Sequence, residues 1–329
     1  MTTLTKMDSN MWFLLAMLLL ASCVCLADEA LAEHRIKHHA SGLTSLRSRR
    51  MVGGTLAPLV PWQAMVSLEE LNGSYAGGAL IAPNWVLTAG RNLFVKKNRM
   101  DTQGTEAAIP KVYLGITGRP QADASKEVAV EKVFLHPGFQ NQSDWDNNLA
   151  LIQLKTPVVL GPNVYPIPLP ELGQHLADSQ GEVGVIAGWG WGALFSPAQT
   201  LKHLVLPLAD DISCKTNENS GRFLYSRPTV DETMFCTGPS RYQENLCYGD
   251  AGGALVVRTH RDVYAAGILS FDKACSTEKY AIYMKLSAYL PWIHSVLRGD
   301  TEESATRRAA VVSEMHSWQW SSRDRAVDG

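Results

Sequence analysis

No charge of one sign dominates this chain. Its 329 residues carry 30 Lys and Arg against 32 Asp and Glu, a formal net charge of -2. Without a basic field, bulk charge does not suggest nucleic acid or heparin-like polyanions as partners. Long hydrophobic runs are equally scarce. The one at residues 11–27, MWFLLAMLLLASCVCLA, is short for a bilayer span and is followed by Asp28 and Glu29 rather than a basic flank. It ends in small residues, with Cys25 and Ala27 where a signal peptidase prefers them. Residues 1–27 therefore read as a signal peptide, which implies a secreted protein without a membrane anchor. Initiation at Met7 or Met11 fits the same leader.

Cysteine is sparse. Of six, Cys23 and Cys25 leave with the leader, and Cys214, Cys236, Cys247 and Cys275 remain. Four cysteines admit three pairings, and an oxidising compartment makes free thiols unfavourable. The sequons at Asn72 (Asn72-Gly73-Ser74) and Asn141 (Asn141-Gln142-Ser143) fit secretion as glycosylation acceptors. Residues 28–50 contain no cysteine. Their His34, His38 and His39 have no Cys or carboxylate to complete a ligand set, so the stretch reads as a solvated basic segment, and no metal or cofactor is expected. It ends in Arg47-Ser48-Arg49-Arg50, which has the form of a convertase site, placing a cut at Arg50-Met51 and a propeptide-like piece at 28–50.

Helical periodicity is almost missing as well. Between Val52 and Arg298 short β-rich runs alternate with Gly and Pro: 85–88, 112–114, 128–135, 149–154, 183–186, 204–206, 255–257 and 266–269. Such a pattern predicts an all-β barrel or sandwich. The exception is 288–297, where Trp292, Ile293, Val296 and Leu297 recur at helical spacing after Pro291, predicting a C-terminal helix packed on the barrel. Beyond Gly299 the composition turns to mixed charge without strand signal, so 299–329 is expected to be a poorly ordered tail in which Trp318 and Trp320 are incidental.

What is present is a series of ordered motifs. CYGDAGGA at 247–254 has the spelling of a nucleophile loop, CxGDSGG, with Ala251 where the serine belongs. Around it stand MVGG at 51–54, PWQAMVSL at 61–68, GGALIAPNWVLTAG at 77–90, NLALIQL at 148–154, AGWG at 187–190, and Tyr289 with Trp292-Ile293. Over 51–298 the chain resembles the chymotrypsin/trypsin family of serine proteases. The resemblance implies two antiparallel six-stranded β-barrels with a terminal helix. It also implies the disulfides Cys214-Cys236 and Cys247-Cys275, and a cut that frees the Met51 amine to pair with Asp250.

The same resemblance assigns three catalytic positions, and all three are changed. Arg91 follows Val86-Leu87-Thr88-Ala89-Gly90 where the histidine belongs, and a guanidinium has donors only and stays protonated, so it is no general base. Asn148 stands at the aspartate, a neutral amide that cannot stabilise an imidazolium. Ala251 removes the nucleophile. Members of such a triad act as a unit, and losing one costs on the order of 10⁴ to 10⁶ in rate, so no hydrolysis by this mechanism is expected. Asn245 replaces the acid that draws Lys or Arg into the specificity pocket, and Asp272 should obstruct a groove that the family lines with glycine. His136 sits where the family often has an ordinary surface histidine.

Within the family, the chain is most similar to its inactive, hemoglobin-binding plasma members. This rests on Asn92-Leu93-Phe94, Val130-Glu131-Lys132-Val133, Leu206-Pro207-Leu208-Ala209-Asp210, Arg241-Tyr242-Gln243-Glu244 and 267–273, GILSFDK. The resemblance implies a secreted binder of hemoglobin αβ dimers that limits heme-driven oxidation and iron loss, with a scavenger receptor as a further partner. Phe271, Asp272 and Lys273 are the first candidate contacts, and Val130, Glu131 and Lys132 the second. Residues 28–50 are too short and cysteine-free for the complement-control module such proteins carry. Pro168 stands where a cysteine would tether it, so a single-domain form like those of fish is expected. Competing readings are an adaptor or antimicrobial polyanion binder, marked by a basic face, and a hydrolase with a novel site.

Overall fold

The computed structural model describes residues 55–68, 74–93, 108–140, 145–172, 174, 176, 183–191, 198–219, 228–238, 246–259, 262–271 and 280–300. The leader, the 28–50 segment, the Arg50-Met51 junction, Asn72, Asn141, Asn245, Asp272, Lys273, Cys275 and the tail beyond 300 lie outside them.

The first half of the described chain contributes β1 (Thr55–Leu56), β2 (Gln63–Leu68), β3 (Ser74–Ala82), β4 (Trp85–Thr88), β5 (Lys111–Leu114), β6 (Glu127–Val128), β7 (Val130–Leu135) and β8 (Ala150–Leu154). Seven of these form one antiparallel sheet in the order β6-β5-β2-β3-β4-β8-β7. Its two edges, β6 and β7, are the halves of one run interrupted at Ala129. One bent strand therefore closes the sheet on itself, and six strands in effect make the barrel. The run at 128–135 reads from sequence as a single strand; the register shift between Val130 and Lys132 is the local irregularity that lets it turn the corner.

The second half supplies β9 (Val183–Gly188), β10 (Lys202–Pro207), β11 (Met234–Thr237), β12 (Ala254–Arg258), β13 (Val263–Phe271) and β14 (Ala281–Lys285). They run β10-β9-β12-β13-β14-β11, with the two-residue β1 added outside β10 through Thr55 and His203. Closure comes from the Leu208–Thr237 bridge and from the Gly238 N–H donating to the Pro207 carbonyl at 2.9 Å. The expected pair of six-stranded antiparallel barrels is the architecture observed.

Apolar strand residues fill both barrels and the seam between them, with Met65, Leu80, Leu87, Leu149, Leu151 and Ile152 fully buried. Inside the second barrel, Phe235 stacks on Tyr283 at 5.2 Å. The buried Tyr283 hydroxyl meets Thr237 Oγ1 at 3.2 Å, and burial pushes its pKa up. At about 25 cal/mol per Å², such close-packed side chains are each worth roughly 1.5–3 kcal/mol.

Among the described residues two α-helices accompany the barrels: α1 (Asp211–Asn219) and α2 (Leu286–Leu297). The spacing of apolar residues predicts a terminal helix over 288–297; α2 starts earlier, at Leu286, so Pro291 falls inside it. The missing N–H of Pro291 costs the helix a hydrogen bond, which the burial of Tyr289, Leu290, Trp292, Ile293 and Val296 offsets. α1 has no counterpart in the sequence reading. It is polar, begins where Asp210 Oδ1 accepts the Ser213 N–H at 2.7 Å, and is anchored through the Cys214–Cys236 disulfide to β11. Among the described residues no helix is long and apolar enough to cross a membrane.

Candidate functional site

Arg91, Asn148 and Ala251 are brought together at the junction of the barrels. β4 runs out at Thr88 into a single 3-10 turn, Gly90–Asn92, that presents Arg91. Asn148 precedes β8, and the loop before β12 carries Ala251. The Arg91 backbone N–H donates to Asn148 Oδ1 at 2.8 Å, and Asn148 Nδ2 donates to Ser270 Oγ at 2.9 Å. Asn148 is fully buried and Ser270 nearly so, so a neutral amide with a donor and an acceptor suits a place where a lone carboxylate would be expensive.

The Arg91 side chain turns onto an aromatic surface. Its guanidinium lies 4.2 Å from the centre of the Trp145 ring, and Trp145 meets Phe271 edge-on at 5.1 Å. Cation–π and edge-to-face contacts hold these three side chains in one stack. The stack contains no group that can accept a proton near neutral pH.

Ala251 is held by its backbone. Its carbonyl accepts from the Gly77 N–H and from Asn92 Nδ2, both at 2.9 Å, while Asn92 Nδ2 also reaches Thr88 Oγ1 at 3.2 Å. The Thr88 hydroxyl donates to the Gly77 carbonyl at 2.7 Å. Asp250 points the other way, into the protein. Its buried carboxylate accepts the Gly190 N–H at 2.8 Å and the Cys247 N–H at 3.0 Å. A Cβ on Gly188 or Gly190 would strike that carboxylate, which accounts for both glycines of the AGWG motif. Cys247 is disulfide-bonded, and Cys275, the partner the resemblance implies, lies outside the described residues.

Of the contact candidates, Phe271 joins the stack. Val130, Glu131 and Lys132 lie on β7, where Lys132 Nζ sits 4.6 Å over the Phe134 ring and Glu131 is exposed. His136 is half-buried rather than an ordinary surface histidine. Its ring is wedged between Tyr289 and Trp292 of α2, with centroids at 5.3 and 4.9 Å, and its Nδ1 accepts the Gly138 N–H at 3.1 Å. Burial lowers its pKa to about 4, so it is neutral at physiological pH. Sequence reasoning missed Trp145, whose only local signal is an aromatic close ahead of Asn148. Among the described residues no three His, Cys, Asp or Glu side chains group as metal ligands.

A family model described as Trypsin matches residues 51–293, and the chain belongs to the trypsin family. The relatives it matches narrow this to one branch. It is 36% identical over 263 residues to haptoglobin of Mesocricetus auratus, covering 76% of this chain and 70% of that protein. Haptoglobin of Canis lupus familiaris is 34% identical over 266 residues, 77% of this chain and 75% of that protein. Haptoglobin-related protein of Homo sapiens is 35% identical over 263 residues, 76% and 70% respectively. The similarity is thus that of a haptoglobin-type serine protease homologue.

Proposed function

We propose that the protein is a secreted, non-proteolytic binder of hemoglobin, taking the αβ dimer in plasma and so limiting heme-driven oxidation and iron loss. The observation that carries this reading is the Arg91–Trp145–Phe271 stack beside the buried Asn148–Ser270 pair. Where a protease keeps a base and a charged acid, this chain has an aromatic, cationic surface braced by neutral hydrogen bonds, a composition typical of protein contact sites. Similarity to haptoglobins supports the partner. The 28–50 segment, removed by cleavage after Arg50, would free the Met51 amine for Asp250; intact-mass analysis of secreted protein with Arg50-Met51 unbroken would overturn that step.

Capture of native hemoglobin by the immobilised full chain tests the function, and no binding at micromolar concentration would discard it. Phe271→Ala is expected to weaken capture about tenfold, as loss of one aromatic anchor does. The Ala251→Ser variant is expected to hydrolyse chromogenic esters no faster than the unaltered protein, because Arg91 and Asn148 still supply no base and no orienting acid. A burst of acyl-enzyme in that variant would refute the non-proteolytic reading.

A further inference from the structure

Three residues before Ala251, Tyr248 on the loop before β12 meets Trp191 on the segment after β9, a second pair of side chains that the stack at Phe271 does not use. Trp191 and Tyr248 are 39% and 51% exposed, large fractions for aromatics when Trp62, Trp85, Trp189 and Trp292 are all buried. They are nevertheless fixed. Their rings meet edge-on at 5.8 Å, and the Trp191 N–H donates to the Tyr248 carbonyl at 2.9 Å. Rigid aromatics of this kind offer contact area at small entropic cost.

Beside them stands a cation with no paired acid among the described residues. The Arg119 guanidinium lies 4.3 Å from the centre of the Tyr75 ring, its Nε is buried with no acceptor, and the ion pairs among the described residues, Lys111–Glu127 and Arg298–Asp300, do not involve it. Its backbone is pinned by a 3-10 turn, where Gln121 Oε1 accepts the Thr117 and Gly118 N–H groups at 2.8 Å each and the Arg119 N–H donates to the Gln199 carbonyl at 2.8 Å. Gly249 joins the two pairs, since the position of a Cβ on it lies 3.2 Å from the Tyr75 carbonyl and 3.4 Å from Gly190 Cα, next in the chain to Trp191.

We propose that Trp191, Tyr248, Tyr75 and Arg119 form a docking surface for a carboxylate-bearing, partly apolar segment of the protein partner. Charge complementarity selects the occupant. No acid among the described residues pairs with Arg119, which is half-buried, and Arg is the side chain whose fork matches an incoming carboxylate. The aromatic pair covers the apolar part of the same segment. This surface rests on the hemoglobin reading, and it places a second anchor apart from Phe271.

The test compares hemoglobin binding kinetics of the secreted full chain with those of Arg119→Gln, Arg119→Lys and the double variant Trp191→Ala/Tyr248→Ala, at low and high salt. Thermal melting reports whether each remains folded. Expected are a loss of affinity of about tenfold or more in Arg119→Gln and in the double variant, a flatter salt dependence in Arg119→Gln, and partial retention in Arg119→Lys. Hemoglobin captured equally by the unaltered chain and by the folded Trp191→Ala/Tyr248→Ala and Arg119→Gln variants would overturn the docking surface while leaving the hemoglobin reading intact. No capture by the unaltered chain would overturn both. Competition by free phosphate or by a heparin fragment, equal to that by hemoglobin, would show a general anion site and also overturn the proposal.

Discussion

Gly252→Ala is expected to lose about 3–5 kcal/mol of stability, enough to lower the midpoint of thermal unfolding by roughly 10 °C. Gly252 has φ 92°, a conformation that L side chains rarely adopt, so even an unobstructed methyl would be strained there. The methyl would not be unobstructed. It would run into the Gly77 carbonyl, the Thr88 hydroxyl and Asn92 Nδ2, which are the groups that hydrogen-bond one another and brace Ala251. Two of the three are backbone-tethered or packed between strands and cannot swing aside, so the loop itself must move. Gly161→Ala supplies the control, because a Cβ there meets nothing within 4 Å and its φ is not in the left-handed region. It should melt within about 1–2 °C of the parent. Equal melting of the two variants would remove the steric account of the loop before β12.

How far the sequence discloses the molecule follows from which interactions are local. β4 was read at 85–88 and is found there, since Trp85, Val86, Leu87 and Thr88 are all buried and bounded by turn residues. The β6–β7 break was hidden because only barrel closure, a tertiary demand, bends the chain at Ala129. α1 was hidden for the opposite reason: with Asp211, Lys215, Thr216, Asn217, Glu218 and Asn219 it has no apolar stripe, and a cap and a disulfide hold it rather than burial. The places of Arg91, Asn148 and Ala251 are legible because apolar runs on either side fix them. What these residues do is not, since Arg91, Trp145 and Phe271 are distant in sequence and meet only once both barrels are formed. Arg119 and Tyr75 escape a sequence reading on the same ground.

Acidification should loosen the protein before its carboxylates are titrated, and His136 is the main reason. A histidine whose folded pKa is lowered takes up its proton more readily when unfolded, so its contribution to stability is complete above about pH 6.5 and is lost as the pH falls towards 4. Fully expressed, that interval corresponds to roughly 3 kcal/mol. His203 acts in the same direction: it is buried on β10, its Nδ1 has no partner, and burial lowers its pKa. Together the two take up as many as two protons on unfolding over this range. The His136 ring is the wedge between 136–139 and α2, so the helix end of the second barrel should open first. Urea unfolding at pH 7.5 and pH 5 is expected to show the loss, and His136→Phe, which keeps the ring contacts to Tyr289 and Trp292 but cannot titrate, should flatten the profile at the expense of the Gly138 hydrogen bond. A pH profile in His136→Phe as steep as that of the parent would assign the acid sensitivity elsewhere. Mildly acidic surroundings would then weaken the scaffold, because the aromatic packing of His136 on Tyr289 and Trp292 depends on one neutral imidazole.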